Sequence, residues 1–453
     1  MNVAYLDPAY SRHFHALAAC LAARSGGRSM ALLSSPAYLP YTGGDRSAVW
    51  KPGVPRQPRA LPADFERAEW AHAGDARAAA VFAHAVEWLA DRFRQEQIGV
   101  CFVFSDARPF SAAARLAAQE AGVVCVYFER GAFRLATSSL STQGLNARFS
   151  LALARQQRGI TGMAADASLR HRPGEPWLRL RFARFVLHNL LARVANRDLG
   201  YVQHKHYVAH RYLRLAWAQW RARHPPWRGA SGGLAAELAG PRGRPLVIVA
   251  LQLPADSQFV LYSPFRSNQE LIDFVAAAVQ AVAPDAELLF KRHPMDASSD
   301  HLPGGARWVG GNLARFDAAD PVIVCINSTV GFESLVRGLR VICFAPSFYA
   351  DAASLVRATR ESFATDLRRT LGERADPAAG AALRADVLRW YQAPGDTWGY
   401  TDTDLEASAD IALQHLHALA EPQARPQPHV AAGRAEARMH REPLATTQAV
   451  GQL

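Results

Sequence analysis

Several short stretches place side chains capable of chemistry directly behind apolar runs. In "ELLFKRHPMD", residues 287–296, Lys291, Arg292 and His293 follow a strand-like run, and Pro294 stiffens the turn. Clustered donors at a strand end suit an anion such as a phosphate; an exposed basic turn would read the same way. In "CINSTVGFES", residues 325–334, Asn327, Ser328 and Thr329 separate an apolar strand from a helical pattern. A small hydroxyl there caps the helix. The same helix start offers unpaired backbone N–H groups and a positive dipole end, which attract phosphate. Two anion-competent loops, read as lying on neighbouring strands, favour a ligand over capping alone.

The other stretches are acidic or polar. "VCVYFERGAFR" carries Glu129 behind five apolar or aromatic residues, where a carboxylate is partly desolvated and its pKa perturbed in a way suited to catalysis. Arg130 or Arg134 can pair with it, which is the plain structural alternative. "SDARP" sets Asp106 and Arg108 at another strand end, by default a salt-bridged turn. In "LQLPADSQFV", Gln252, Asp256, Ser257 and Gln258 either read sugar hydroxyls or solvate a loop. No GxxxxGK[ST], HExxH, GxSxG or paired CxxC motif occurs, and no GxGxxG follows the first strand.

These loops need a scaffold of alternating strands and helices. The first half reads as strand "NVAYL", helix "SRHFHALAACLAARSG", strand "SMALLS", a long helical pattern from about Asp64 to Glu96, strand "IGVCFVF", helix "FSAAARLAAQEAG" and strand "VVCVYFERG". The second half repeats the rhythm from "PLVIVALQL" onward. Such alternation predicts parallel sheets, with ligands at the C-terminal strand ends. The expected fold is α/β, two Rossmann-like domains facing a cleft. Residues 1–230 form the first domain, including a basic helical segment over 151–230. Residues 231–420 form the second, and 421–453 a disordered tail of Pro, Ala, Arg, Gln and His.

At 453 residues the chain is too long for one ordinary core, and 49% hydrophobic content is that of a globular protein. The net charge of +11 is concentrated: residues 176–228 hold eleven Lys and Arg against Asp198 alone. Arginine interleaved with Trp, Phe and Leu suits an anionic lipid surface; a core helix with an arginine rim is the alternative. Nucleic acid is disfavoured because no motif for it is present. Cys20, Cys101, Cys125, Cys325 and Cys343 are read as buried free thiols in a reducing compartment. The N-terminus lacks the uninterrupted apolar stretch of a signal peptide, and no run of about 18 apolar residues occurs. A cytoplasmic protein, peripheral on the inner face of the membrane, is expected.

Taken in order, the motifs resemble the capsule polysaccharide biosynthesis proteins of the KpsS/LipB type, bacterial transferases of 3-deoxy-manno-oct-2-ulosonic acid (Kdo). The resemblance rests on "GGDRSAVW", "FSDARPFSAAARLAAQEAGVVCVYFERGAFR", "GLN" at 144–146, "LQLPADSQ", "KRHP" and "NSTVGFESLVRG", spread over about residues 1–400. Arg130 stands where the family often has a second acid, and Ser111 where a His is common. The resemblance implies a GT-B-like fold and transfer of Kdo from CMP-β-Kdo to a phosphatidylglycerol-type lipid. Retention through a carboxylate nucleophile is implied too. Lys291, His293, Asn327, Ser328, Thr329, Gln252 and Asp256 would bind the donor; Glu129, Asp106 and Arg134 would be catalytic. No metal or other cofactor is expected. Other capsule synthesis or export proteins are potential partners, and a non-catalytic assembly role that binds anionic lipid or nucleotide sugar is the alternative.

Overall fold

The computed structural model describes every residue except 9–10, 60–75, 168, 171–176, 203–242, 255, 295, 297 and 421–453. The tail and the second part of the basic segment therefore lie outside the described residues.

The first half contains β1 (Asn2–Leu6), α1 (His13–Arg24), β2 (Ser29–Leu33), β3 (Ser47–Val49), α2 (Ala76–Gln95), β4 (Ile98–Phe104), α3 (Pro109–Ala121), β5 (Val124–Arg130) and β6 (Thr137–Ser141). Three helices follow: α4 (Leu151–Gln156), α5 (Leu178–Ala195) and α6 (Leu199–Val202). The second half holds β7 (Leu246–Ala250), α7 (Ser257–Tyr262), α8 (Asn268–Val282), β8 (Glu287–Lys291), β9 (Arg307–Val309), β10 (Val322–Cys325), α9 (Thr329–Val336), β11 (Arg340–Cys343), β12 (Leu355–Arg357), α10 (Phe363–Gly372) and α11 (Pro377–Tyr391). The chain closes with β13 (Gln392–Pro394) and α12 (Asp402–Ala420).

Strand order is β3-β2-β1-β4-β5-β6-β13 in one sheet and β9-β8-β7-β10-β11-β12 in the other. All pairs are parallel except β5–β6 and β6–β13. In each sheet the chain runs outward from its first strand, then returns and builds on the other side. That reversal opens a crevice between β1 and β4 and another between β7 and β10, the ligand position of doubly wound sheets. The two Rossmann-like halves expected from the sequence are thus present.

Strands covered on both faces read as continuous apolar runs. Val3 and Tyr5 pack into one core, Ala4 and Leu6 into another. In β7, Val247 and Val249 join a third core while Ile248 and Ala250 join the same one as Ala4 and Leu6. One apolar core therefore runs through both halves.

The second half does not keep its last residues, contrary to the expected 231–420 boundary. β13 pairs antiparallel with β6, placing Gln392 opposite Ser139, and α12 packs on α1. Residues 392–420 complete the first half. The physical reason is an open sheet edge: β6 would otherwise present unpaired backbone groups. Pro394 is tolerated because β13 is itself the outer strand. The described cysteines are free, and all but half-buried Cys20 are buried, as expected. No described helix is long and apolar enough to cross a membrane.

Candidate functional site

The C-terminal strand ends of the two halves form two banks. On the second, Gln252 follows β7 and Asn327 follows β10, flanking the crevice. The Gln252 amide donates to Asn327 Oδ1 (3.1 Å), and the Asn327 backbone N–H donates to Gln252 Oε1 (3.1 Å). Asn327 Nδ2 donates further to the Pro346 carbonyl (3.0 Å) and Gln258 Oε1 (3.3 Å). Both side chains are buried. Two residues expected to contact a donor thus tie the strand ends together and position the loops around them.

Ser328 caps α9, its hydroxyl accepting from the Val330 N–H (3.2 Å). Tyr349 Oη donates to the Ser328 carbonyl (2.7 Å). Gly331 is demanded by close packing: a Cβ there would meet Tyr349 Oη at 2.8 Å and Cys325 Sγ at 2.9 Å. The helix start, with half-buried Ser328 and Thr329, is therefore pinned to the strand beneath it. Capping and anion binding are compatible here, because a cap satisfies only part of the free N–H set.

Lys291 and His293 emerge half-buried from the end of β8. Burial lowers both pKa values; Glu333 partly offsets it for Lys291. For His293 the Lys291 charge adds to the lowering, while Asp256 and Asp296 oppose it and Arg134 reinforces it. Crowded, partly dehydrated basic groups of this kind are the ones whose protonated form an arriving anion favours most. Arg292 between them faces elsewhere, donating to the Ser298 (2.8 Å) and Asp300 (3.1 Å) carbonyls and lying over Trp308. One expectation is corrected: β8 and β10 are not neighbours, because β7 lies between them. Two strand spacings, about 10 Å, separate the two loops. The arrangement suits an extended nucleotide sugar better than a lone phosphate.

On the first bank, Glu129 and Arg130 are the last two residues of β5. Burial raises the Glu129 pKa to about 7; Asp106 and Asp256 add to the rise, while Arg134 and an Asn146 hydrogen bond oppose it. Asn146 Nδ2 donates to Glu129 Oε2 at 2.6 Å. Successive strand residues point to opposite faces. Arg130 accordingly turns away, its Nε 3.3 Å from Asp396 Oδ2 and its guanidinium over Trp398. The ion pair weighed for Glu129 belongs to Arg130 and a different acid. Gly131 is required sterically, since a Cβ would meet Thr137 Oγ1 at 2.1 Å.

Asp106 is buried at 4% exposure and accepts from the Leu145 N–H (2.9 Å), with Arg148 Nη1 3.8 Å away. Burial raises its pKa, opposed by Arg148 and the Leu145 N–H. Its carboxylate anchors the 144–148 turn, and through that turn it sets Asn146 against Glu129. This placement is that of a positioning residue rather than a proton acceptor for substrate. The salt-bridged turn expected for "SDARP" forms with Arg148 instead of Arg108, which lies over the Phe104 ring.

Arg134 and Asp256 connect the banks. Arg134 is exposed, and its charge lowers both Glu129 and His293; Asp256, which caps α7, raises both. The four groups thus share one electrostatic neighbourhood spanning the cleft. Phe133 beside Arg134 meets Phe332 of α9 edge-on at 5.4 Å. From Phe332 the aromatic contacts run to Phe348, then Tyr391 and Phe149, the last pair stacked at 4.2 Å.

Several contributors were not singled out from the sequence. Tyr391 Oη accepts from the Asn146 N–H (2.9 Å), and Gln392 Oε1 accepts from the Ala132 N–H (3.0 Å) and Thr137 Oγ1 (2.6 Å). Both hold the Glu129 loop from 250 or so residues away, and no local signal marks them. Asp7, at the end of β1, accepts from the Ser34 N–H (2.7 Å) and Oγ (2.6 Å). Burial raises it to about 6 against the pull of Ser34 and Arg108. Asp7 (φ 28°) and Ser105 (φ 62°) adopt left-handed backbone at the β1/β4 crevice, a strain of about 1–2 kcal/mol each. An acid directly behind "NVAYL" was a readable signal. Among the described residues no group of three or more His, Cys, Asp or Glu could hold a metal ion.

Residues 100–302 match the family model described as capsule polysaccharide biosynthesis protein. The matched span includes Asp106, Glu129, Asn146, Gln252, Asp256 and His293 and ends before Asn327. The resemblance seen in the motifs is borne out over that span. No curated protein matches the chain. Similar solved structures include KpsC, the β-Kdo 2,7 transferase of Thermosulfurimonas dismutans, at 16% identity over 74% of this chain and 90% of that one, TM-score 0.34. They include glycosyltransferase SnogD from Streptomyces nogalater at 15% identity, 91% and 99% coverage, TM-score 0.31. UDP-GlcNAc 2-epimerase from Neisseria meningitidis bound to UDP-GlcNAc is similar at 9% identity, 92% and 100% coverage, TM-score 0.30.

Proposed function

We propose that this chain is a retaining glycosyltransferase of capsule polysaccharide synthesis, moving Kdo from CMP-β-Kdo to a phosphatidylglycerol-type lipid. One observation carries the reading: Glu129, held by Asn146 Nδ2 at 2.6 Å on one bank, shares its electrostatic surroundings, through Asp256 and Arg134, with half-buried Lys291 and His293 on the other. The family match supports the capsule setting.

In this reading Lys291 and His293 hold the donor phosphate, and the N–H groups and hydroxyls at Ser328 and Thr329, two strands along, bind another polar group of the same extended donor. Negative charge grows on that phosphate as the glycosidic C–O bond breaks. Donors already in place therefore lower the barrier without reorganising. Glu129 attacks the anomeric carbon with the oxygen not held by Asn146, and CMP leaves with the bond pair. Arg134 balances the sugar carboxylate. The acceptor oxygen then attacks the same carbon, the Glu129 ester bond breaks, and the acceptor proton passes to Asp256. Two inversions give retention. Asp256 takes the base role because Asp106 is committed to the 144–148 turn.

Intact mass spectrometry with CMP-Kdo tests the first step. The protein gains the mass of one Kdo, and Glu129→Gln does not. An adduct that survives the substitution moves the nucleophile elsewhere. A fluorescent phosphatidylglycerol assay separates the enzyme from an assembly role: product formation supports transfer, whereas lipid binding without turnover supports assembly.

A further inference from the structure

Among the described residues, helix α5 packs through the side that carries Phe185 and Asn189. Phe185 is buried against Tyr38 (5.1 Å) and Tyr41 (5.9 Å), and Tyr41 Oη donates to the Arg181 carbonyl (3.0 Å). Asn189, one turn on, is fully buried with its amide donating to the Phe185 carbonyl (2.8 Å). The opposite side carries Trp177, Leu180, Leu187, Leu191 and Val194, each more than half exposed. With Arg184 these residues are spaced 3, 4, 3, 4, 3, a continuous stripe along the outer face. Monomeric surfaces rarely leave such stripes uncovered.

The charge around the stripe selects what covers it. Arg179, Arg181, Arg184 and Arg193 lie on the helix and Arg197 just past it, and α5 contains no acidic residue. Asp198, just past the helix, is engaged by Arg77. A second copy of the same helix would set Arg184 against Arg184 in an apolar seam, without a counter-charge. An anionic bilayer offers hydrocarbon for the leucines and phosphate for the arginines at once.

We infer that the outer face of α5 docks on an anionic phospholipid surface, with Trp177 at the headgroup level. The short 3-10 turn beneath it, Pro36–Tyr41, begins just past the C-terminal end of β2. The docked face therefore borders the rim of the first-half crevice where Asp7 and Ser34 lie. That last placement rests on the lipid-acceptor reading; the docking itself does not.

Cosedimentation of the full chain with phosphatidylcholine vesicles, with and without phosphatidylglycerol, tests the inference. Binding is expected only with phosphatidylglycerol and falls steeply with added salt. Leu187→Asp with Leu191→Asp lowers partitioning more than 100-fold, and Arg184→Gln alone lowers it about 5-fold. Both variants keep the wild-type melting profile, because the positions are exposed. Three results would overturn the inference: equal binding to neutral vesicles, full binding by the leucine pair variant, or a lipid-free dimer that the same substitutions dissociate. A short-chain soluble acceptor keeps the two readings apart. Turnover on it without vesicle binding removes the docking and leaves the transferase; vesicle binding without turnover does the reverse.

Discussion

The two banks of the cleft solve opposite electrostatic problems. The first keeps a carboxylate short of water and near other carboxylates, so Glu129 holds its proton to about 7. The second keeps two cationic groups short of water and near each other, so Lys291 and His293 release theirs early. Each bank is ill at ease alone. A ligand carrying a phosphate beside an electrophilic carbon offers each what it lacks. Both banks also use the same device: one residue faces the cleft and its neighbour faces the scaffold. Glu129 is followed by Arg130, which pairs with Asp396; Lys291 and His293 flank Arg292, which grips carbonyls; Ser328 follows Asn327, which is bound to Gln252.

The contrast can be broken at its strongest point first. Glu129→Gln should abolish the Kdo adduct and lower turnover at least 10³-fold, measured by mass and by product formation. His293→Ala should cost roughly 10²–10³ in kcat by removing a prepositioned donor from the leaving phosphate. CMP-Kdo adduct formation measured under single turnover checks it, and loss confined to acceptor transfer would place His293 elsewhere.

Tyr391→Phe is a smaller and sharper probe. It removes the acceptor of the Asn146 N–H, and an unsatisfied amide of that kind costs about 1–3 kcal/mol. Expected are a lower melting temperature and about 10-fold slower turnover, with a shifted pH profile. An unchanged profile would detach Asn146 from the acid.

The pH dependence tests the first bank through the part of it that Glu129→Gln removes. Folded Glu129 keeps its proton to about 7, whereas the unfolded chain releases it near 4.5. Between those values the folded state binds more protons, so its stability falls as pH rises and levels off above about 7. The Glu129 part of the slope should integrate to on the order of 3 kcal/mol and be lost in Glu129→Gln, while the contributions of Asp7 and His293 stay. Turnover should rise across the same upper limb, because the ionised form attacks. Thermal melts and rates over pH 5–8.5 measure both.

Much of this was legible along the chain. Continuous apolar runs ending in polar loops marked β5, β7, β8 and β10, because strands buried on both faces must be apolar throughout and their ends must not be. The motif residues at those ends were therefore visible as candidates. Less visible was which of them face the cleft. Gln252 and Asn327 read as donor-binding residues, yet each answers the other. Asp106 read as a catalytic acid or a turn residue, and the Leu145 N–H and Arg148 decide for the turn.

The short strands β6, β9, β12 and β13 escaped the reading because, unlike the equally short but continuously apolar β7 and β10, they mix polar residues or proline into three to five positions. β13 and α12 could not have been assigned to the first half by any local rule. Local sequence, through propensity, capping and the alternation of side chains, determined the elements, their order and the residue types at their ends. Tertiary structure alone decided that residues 392–420 seal the first sheet, that Tyr391 and Gln392 brace a loop some 250 positions earlier, and that Arg134 and Asp256 bring the banks into one field. Those outcomes depend on which open edge, unpaired amide or buried charge lies nearest in space, and chain separation carries no information about that.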